Sequence, residues 1–233
     1  MPALTAPALG GVGRLWTVPG VYAPQADSRL LGRALTAEGV RAGMRVLDVG
    51  TGSGALAVQA ARMGAEVYAT DISRRAVLTA RVNAARHGRR VRVRRCDPSQ
   101  SWSGVAVDPV CGTFDLVVSN PPYVPTPPGS TRGAARAWNA GHDGRRMVDR
   151  LADHAPSLLR RGGVMLVVHS ELCGVEPTLR RFGQAGCRAQ VVARADVPFG
   201  PVLTSRLPWL RSRGLVADGQ EHEGLVVVRA QRL

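Results

Sequence analysis

The chain has 233 residues, 31 basic against 17 acidic side chains and a formal net charge of +14, and every basic residue is arginine because lysine is absent. That length is enough for one well-buried core, with no linker dividing it. No apolar run approaches the ~20 residues a membrane helix needs, and neither a repeat nor a heptad pattern is present.

Taken in chain order, the N-terminal stretch MPALTAPALGGVGRLW lacks the basic-then-apolar layout of a secretory signal. The pattern then predicts a capped helix from Asp27 to about Glu38, followed by strands near 45–50, 66–71, 91–95, 114–119, 164–169, 188–194 and 225–230. Helices are expected between them at about 55–63, 74–87, 144–159 and 174–185. Alternation of strand and helix over most of the chain implies an α/β fold, a mostly parallel sheet with helices on both faces. In such sheets ligands sit beyond the carboxyl ends of the strands, at the point where strand order reverses.

The first strand, Arg45 to Gly50, runs into Gly50-Thr51-Gly52-Ser53-Gly54 and then a helix-forming stretch. Glycines at such a turn let backbone approach a ligand closely. A nicotinamide enzyme would want G-x-G-x-x-G to seat a pyrophosphate, whereas this turn has G-x-G-x-G. Asp48, two residues before Gly50, would repel a pyrophosphate and attract an ammonium. A buried structural acid is the plainer alternative for it. The second strand ends at Asp71, placed to accept hydrogen bonds from both hydroxyls of a ribose, with helix capping as the competing role and Ser73 as its rival.

Asn120-Pro121-Pro122-Tyr123 follows the apolar run Phe114 to Ser119 and carries the most chemical information. A planar amide or aryl amine nitrogen has a delocalised lone pair, so both N–H bonds must be held while the nitrogen turns pyramidal and attacks. The Asn120 side-chain oxygen and the Pro121 carbonyl supply two acceptors. Two consecutive prolines stiffen the turn and remove two backbone donors. Tyr123 offers a flat face to a flat group. An ordinary Pro-Pro turn leaving a strand would need no chemistry, but it would not coincide with the glycine turn and the two acids.

With these residues in place, the chain resembles the class I S-adenosylmethionine-dependent methyltransferases, and Asn120 to Tyr123 narrows the resemblance to those acting on amino and amide nitrogens. It looks most like the release-factor glutamine methyltransferases (HemK-like), in a compact branch lacking their N-terminal helical domain. Gly20 to Leu31 matches the segment that folds over the cofactor in that family. Arg95-Cys96-Asp97 matches the acid near the adenine amine, and Ala137 to Arg150 matches the loop and helix after the tetrapeptide.

The resemblance implies a Rossmann-like sheet of order 3-2-1-4-5-7-6 with an antiparallel last strand. Residues 1–42 would form a segment and helix over the cofactor site, and 43–233 the catalytic domain. S-adenosylmethionine would contact Ser28, Asp48, Gly50, Thr51, Gly52, Gly54, Asp71, Ile72, Asp97 and Asn120, while Asn120, Pro121, Pro122 and Tyr123 would hold the acceptor. The partner would be a protein, such as a release factor or a ribosome-associated protein. Two segments depart from the family: Pro98 to Gly112, and Pro198 to Gly224 with Arg206, Trp209, Arg211 and Arg213, which looks like an insertion before the last strand.

Arginine clusters at 89–90, 92, 94–95, 145–146 and 160–161 suggest affinity for polyanions, so a nucleic-acid amino-group methyltransferase stays open as a second reading. Solvated faces and edge protection are the alternative, because Val91-Arg92-Val93-Arg94-Arg95 alternates as a half-exposed strand should. Few aromatics interleave with those clusters, which weighs against base stacking. A non-catalytic binding protein is a third reading, opposed by the intact tetrapeptide. Cys96, Cys111, Cys173 and Cys187 lack C-x-x-C spacing, and His87, His142, His154, His169 and His222 are dispersed. Neither a metal nor disulfides are expected, and the compartment is taken as reducing, the cytoplasm.

Overall fold

A computed structural model describes residues 12–97, 114–127 and 140–233. In order, the elements are α1 (Ala26–Ala37), β1 (Arg45–Val49), α2 (Ala55–Arg62), β2 (Glu66–Asp71), α3 (Arg74–Arg86), β3 (Val91–Arg95) and β4 (Phe114–Ser119). They continue with α4 (Arg146–Leu158), β5 (Leu159–Ser170), a 3-10 turn at Glu171–Cys173, α5 (Val175–Gln184), β6 (Cys187–Pro198), α6 (Pro201–Ser212) and β7 (His222–Arg232). The seven strands form one sheet in the order β3-β2-β1-β4-β5-β7-β6. Strands β1 to β5 are parallel, and β7 runs antiparallel to both β5 and β6, as expected from the sequence.

Period-two alternation along the strands splits the core into two layers. Val46, Leu116, Val118, Leu166, Val168, Leu225 and Val227 face one side, where α1, α2 and α3 bring Leu31, Leu35, Val58 and Val77. Their neighbours Leu47, Val117, Val167, Val226 and Val228 face the other, against Leu151 and Leu158 of α4 and Phe182 of α5. Strands buried on both faces read as unbroken apolar runs, and Phe114 to Ser119 has that character. The two edges are handled differently. At β3 the exposed Arg92 pairs with Glu66, so its charge guards an edge. Along β6 the burial alternates residue by residue.

Several expectations need correction. α1 begins at Ala26, and its N-cap Gln25 makes no side-chain cap, while Asp27 is engaged elsewhere. β5, β6 and β7 extend well past their expected ends. The supposed insertion Pro198 to Gly224 contains a 12-residue helix, α6, with Pro201 at its start where a missing N–H costs nothing. Leu203 and Leu210 of α6 join Val216, Val124 and Leu172 in a third apolar cluster. The Pro98 to Gly112 stretch, Cys111 and Ala137 to Asn139 lie outside the described residues.

The glycine turn joins β1 to α2, and its last member packs hardest. Gly54 sits at φ 85°, and a Cβ there would lie 3.0 Å from both Cα and Cβ of Ala80 on α3. Gly50 has φ 72° with nothing within 4 Å of such a Cβ. Gly50→Ala is therefore expected to cost only the left-handed backbone penalty, about 1–2 kcal/mol, and Gly54→Ala roughly 2–4 kcal/mol because crowding adds to it. Urea unfolding of both variants checks the order; equal losses would mean that α2 and α3 yield freely.

Candidate active site

Strand pairing puts the two informative turns side by side. Val49 pairs with Ser119, and Ser119 Oγ donates to the Val49 carbonyl at 2.8 Å, so Gly50 and Asn120 leave adjacent strand ends together. A cavity of about 320 Å³ opens there. Its lining includes Gly50, Thr51, Gly52, Asp71, Ile72 and Asp97 from one side and Asn120, Pro121, Pro122 and Tyr123 from the other, with Ser28 above.

The hydrogen bonds of the glycine turn say what kind of ligand it suits. The Thr70 carbonyl takes the N–H of both Gly50 and Thr51 at 2.9 Å, and Gly54 N donates to the Thr51 carbonyl at 2.8 Å. Gly52 N donates to Asp71 Oδ2 at 2.9 Å, and Ser73 N to Asp71 Oδ1 at 2.8 Å. Four of the five N–H groups from Gly50 to Gly54 are thus engaged within the fold, which leaves little of the free N–H cradle that a phosphate needs. Asp71 is held at the end of β2, its carboxyl raised above the ordinary value by burial against these bonds. Ser73 rather than Asp71 caps α3, accepting from Ala76 N.

Asp48 and Gly54 are the two expected cofactor residues that do not line the cavity. Asp48 is 1 % exposed and lies beneath the turn, where Oδ2 accepts from Thr51 Oγ1 at 2.6 Å and from Ala57 N at 3.1 Å. Its Oδ1 is buried with no partner. Desolvation pushes the carboxyl up to about 7 despite those two bonds. It braces the turn from below. Gly54 serves the α2–α3 packing described above.

The acceptor side is organised by a residue the sequence did not single out. Asp27 is 4 % exposed, and its Oδ2 accepts from Tyr22 Oη at 2.7 Å and from Tyr123 Oη at 3.0 Å. Its Oδ1 accepts from Ser28 N at 2.5 Å and Ser28 Oγ at 3.2 Å. Asn120 Nδ2 in turn donates to Ser28 Oγ at 3.3 Å, which fixes the amide and leaves its oxygen as an acceptor. Burial and the Asp27 charge hold the Tyr123 phenol well above its ordinary value, and burial does the same for Tyr22.

Neighbouring carbonyls in the turn are already occupied. Cys173 Sγ donates to the Tyr123 carbonyl at 3.0 Å, and burial pushes that thiol up to about 12. Arg206 Nη1 on α6 donates to the carbonyls of Val124 and Pro125 and to Thr126 Oγ1, at 2.9, 3.0 and 3.0 Å. Among the described residues nothing donates to the Asn120 side-chain oxygen or the Pro121 carbonyl, the two acceptors the sequence nominated. Gly200 to Leu203 of the β6–α6 junction and Glu223 of β7 complete the wall.

Some of the clustered arginines are spent internally. Arg145 bonds the carbonyls of Cys173 and Gly174, Thr178 Oγ1 and Asp149, and Arg160 pairs with Asp115 at 2.5 Å. Among the described residues there is no group of His, Cys, Asp and Glu that could hold a metal, and no helix is long and apolar enough to cross a membrane.

Residues 13–194 match the family model described as the methyltransferase small domain. The chain is 40% identical over 189 residues to the release factor glutamine methyltransferase of Bordetella pertussis, covering 77% of this chain and 67% of that one. It is 36% identical over 178 residues to methyltransferase HEMK2 of Mus musculus, covering 72% and 79%. Among solved structures it superposes with the E. cuniculi Mtq2–Trm112 complex, described as responsible for methylation of the eRF1 termination factor, at a TM-score of 0.62 and 21% identity, covering 92% of this chain and 99% of that one. At that identity the likeness concerns the fold.

The raised Asp48 carboxyl makes a prediction about stability. Below about pH 4 it is protonated in both the folded and unfolded chain. Between about 4 and about 7 the unfolded chain ionises while the folded one keeps its proton, so this group lowers stability as pH rises, and the loss levels off above about 7. Asp48→Asn should remove that slope. Urea unfolding of both proteins at about pH 5 and about pH 8 gives the difference; a difference independent of pH would show that Asp48 ionises as freely folded as unfolded.

Proposed function

Since the chain belongs to the methyltransferase small-domain family, an enzyme family whose methyl donor is S-adenosylmethionine, we propose that it methylates the side-chain amide nitrogen of a glutamine in a protein. The observation that carries this reading is the pair of unclaimed acceptors, the Asn120 side-chain oxygen and the Pro121 carbonyl, at the cavity wall beside the glycine turn. The names of the Bordetella pertussis and mouse relatives point the same way.

The residues present fit the donor. The glycine turn has four of its five N–H groups engaged and acids around it, which suits a cationic sulfonium and ammonium rather than a phosphate. In this reading Asp71, Ile72 and Asp97 would hold the nucleoside end, and Gly50, Thr51, Gly52 and Ser28 the methionyl end, with Asp48 and Gly54 shaping the turn behind them. When bound, the donor supplies an electrophilic methyl group on sulfur.

The remaining work falls to the acceptor clamp. Asn120 and Pro121 would each accept one N–H of the planar amide and so fix the orientation of its nitrogen for attack. As the nitrogen becomes pyramidal its N–H bonds grow more acidic, so both hydrogen bonds strengthen in the transition state more than in the ground state. Tyr123 is not the base, because its phenol is held well above its ordinary value and donates to Asp27. The proton leaves to water after transfer. The prolines keep the turn rigid, and Cys173 and Arg206 hold the carbonyls of Tyr123, Val124 and Pro125 that follow them.

A release factor or another ribosome-associated protein is the acceptor we favour, in a cytoplasmic, reducing setting that accords with the free thiols of Cys96, Cys173 and Cys187. A nucleic-acid amine would suit the same clamp, but the arginines at 145 and 160, two of the clusters that suggested it, are paired within the fold. Labelled S-adenosylmethionine incubated with the protein and cell extract should leave label that protease releases and nuclease does not; the reverse would overturn the glutamine assignment. Asn120→Ala should keep donor affinity within about threefold while turnover falls by a hundredfold or more. Asp71→Ala should instead weaken donor binding by about tenfold, with a smaller loss in saturated turnover. Calorimetric binding and single-turnover rates separate the two, and parallel losses in Asn120→Ala would make Asn120 a donor residue only.

A further inference from the structure

Glu223 is a buried acid that the clamp does not use. It is 6 % exposed, lines the cavity, and has an Oε2 with no partner of any kind among the described residues. The Ser170 side chain bonds the carboxyl, which secures one side of the group and leaves the other open. A polar oxygen removed from water and left unpaired costs more than the hydrogen bond it lacks, so a fold that keeps one at a ligand cavity implies a donor supplied by the ligand.

Its place in the sheet says which ligand. Asp71 and Asp97 close the cavity at β2 and just beyond β3, on one side of the glycine turn. Glu223 stands on β7, beyond β4 and β5, on the opposite side. It shares the cavity wall with Tyr123, which packs against the apolar layer that holds Leu225 two residues further along β7, so it belongs to the acceptor half. Gly200 to Leu203 wall the same region and supply no side-chain donor to the carboxyl. The Asn120 oxygen and the Pro121 carbonyl already account for both N–H bonds of the target amide, so Glu223 has a different hydrogen to receive.

We propose that Glu223 is a specificity-determining residue, whose buried, unpartnered carboxyl oxygen accepts a main-chain N–H of the acceptor peptide, from the target glutamine or a residue flanking it, as the peptide fills the cavity. This rests on the glutamine reading above. It makes the site selective for an acceptor whose second N–H stands at the separation from the reactive amide that a peptide backbone fixes, and any acceptor that places its second N–H elsewhere leaves the Glu223 oxygen unmet. The buried oxygen left unpaired by a wrong acceptor is the discriminating cost.

The test uses the full chain, a capped peptide with a single central glutamine, and three analogues in which the N–H of the glutamine or of either neighbour is replaced by an ester oxygen. Glu223→Ala should raise KM for the peptide about tenfold or more, with kcat within about threefold and donor affinity unchanged. Glu223→Gln, which keeps an acceptor oxygen, should restore most of the loss. One ester analogue should lose a similar factor with the native enzyme and lose nothing further with Glu223→Ala, since the two changes remove the same bond. Native turnover of the peptide with additive losses, or with an unaltered KM in Glu223→Ala, would overturn this assignment alone. A native enzyme that leaves the peptide unmethylated while labelling nucleic acid would overturn the glutamine reading, and this assignment with it.

Discussion

A carboxylate taken out of water must be met by donors, and Asp27 is met by four: the phenols of Tyr22 and Tyr123 and the backbone and hydroxyl of Ser28. Those donors come from the segment ahead of the sheet and from the turn after β4, which are otherwise separate in the chain. By satisfying one buried charge the fold brings the covering segment onto the tetrapeptide and, through Ser28, sets the Asn120 amide with its oxygen free. The clamp is thus preorganised by a carboxylate whose own four hydrogen bonds all run to the fold.

Around that hub the cavity divides its labour by charge and by occupancy. Backbone donors of the glycine turn go to Thr70, Asp71 and Thr51, while the carbonyls of Tyr123, Val124 and Pro125 accept from Cys173 and Arg206. What remains unpaired is a short set of acceptors. In a protein with a net charge of +14, this cavity has Asp27, Asp71, Asp97 and Glu223 in its lining against Arg146, a balance that favours ligands bringing hydrogens and positive charge.

Much of this was legible in the amino acids themselves. The strand and helix alternation gave the sheet because apolar runs of five or six residues between helical stretches have few other solutions, and the family resemblance supplied the strand order. Gly50, Asp71 and Asn120 could be placed at one cavity because parallel strands deliver their loops to one end. Other features depend on contacts no local pattern records. Asp27 looked like a residue of a capped helix start, since nothing in its neighbours announces that Tyr123 lies 96 positions away in sequence and 3.0 Å away in space. Glu223 sits in a polar stretch, His222-Glu223-Gly224, that reads as a strand end. α6 was hidden by Pro201 and Pro208, although proline at a helix start is favourable. Asp48 was expected at the donor's ammonium, but its burial beneath the turn, off the cavity wall, is a fact of packing.

The attachment of α6 draws a line through the molecule. The helix reaches the acceptor turn through the Arg206 guanidinium and a small apolar cluster, and it belongs to the stretch between the mutually antiparallel strands β6 and β7 rather than to the parallel half that carries the glycine turn. Selection can therefore rewrite residues 199–221 and change which surfaces fit the mouth of the cavity without disturbing the machinery that stocks it with methyl groups. One half of the enzyme is fixed by its reagent, and the other is open to new clients.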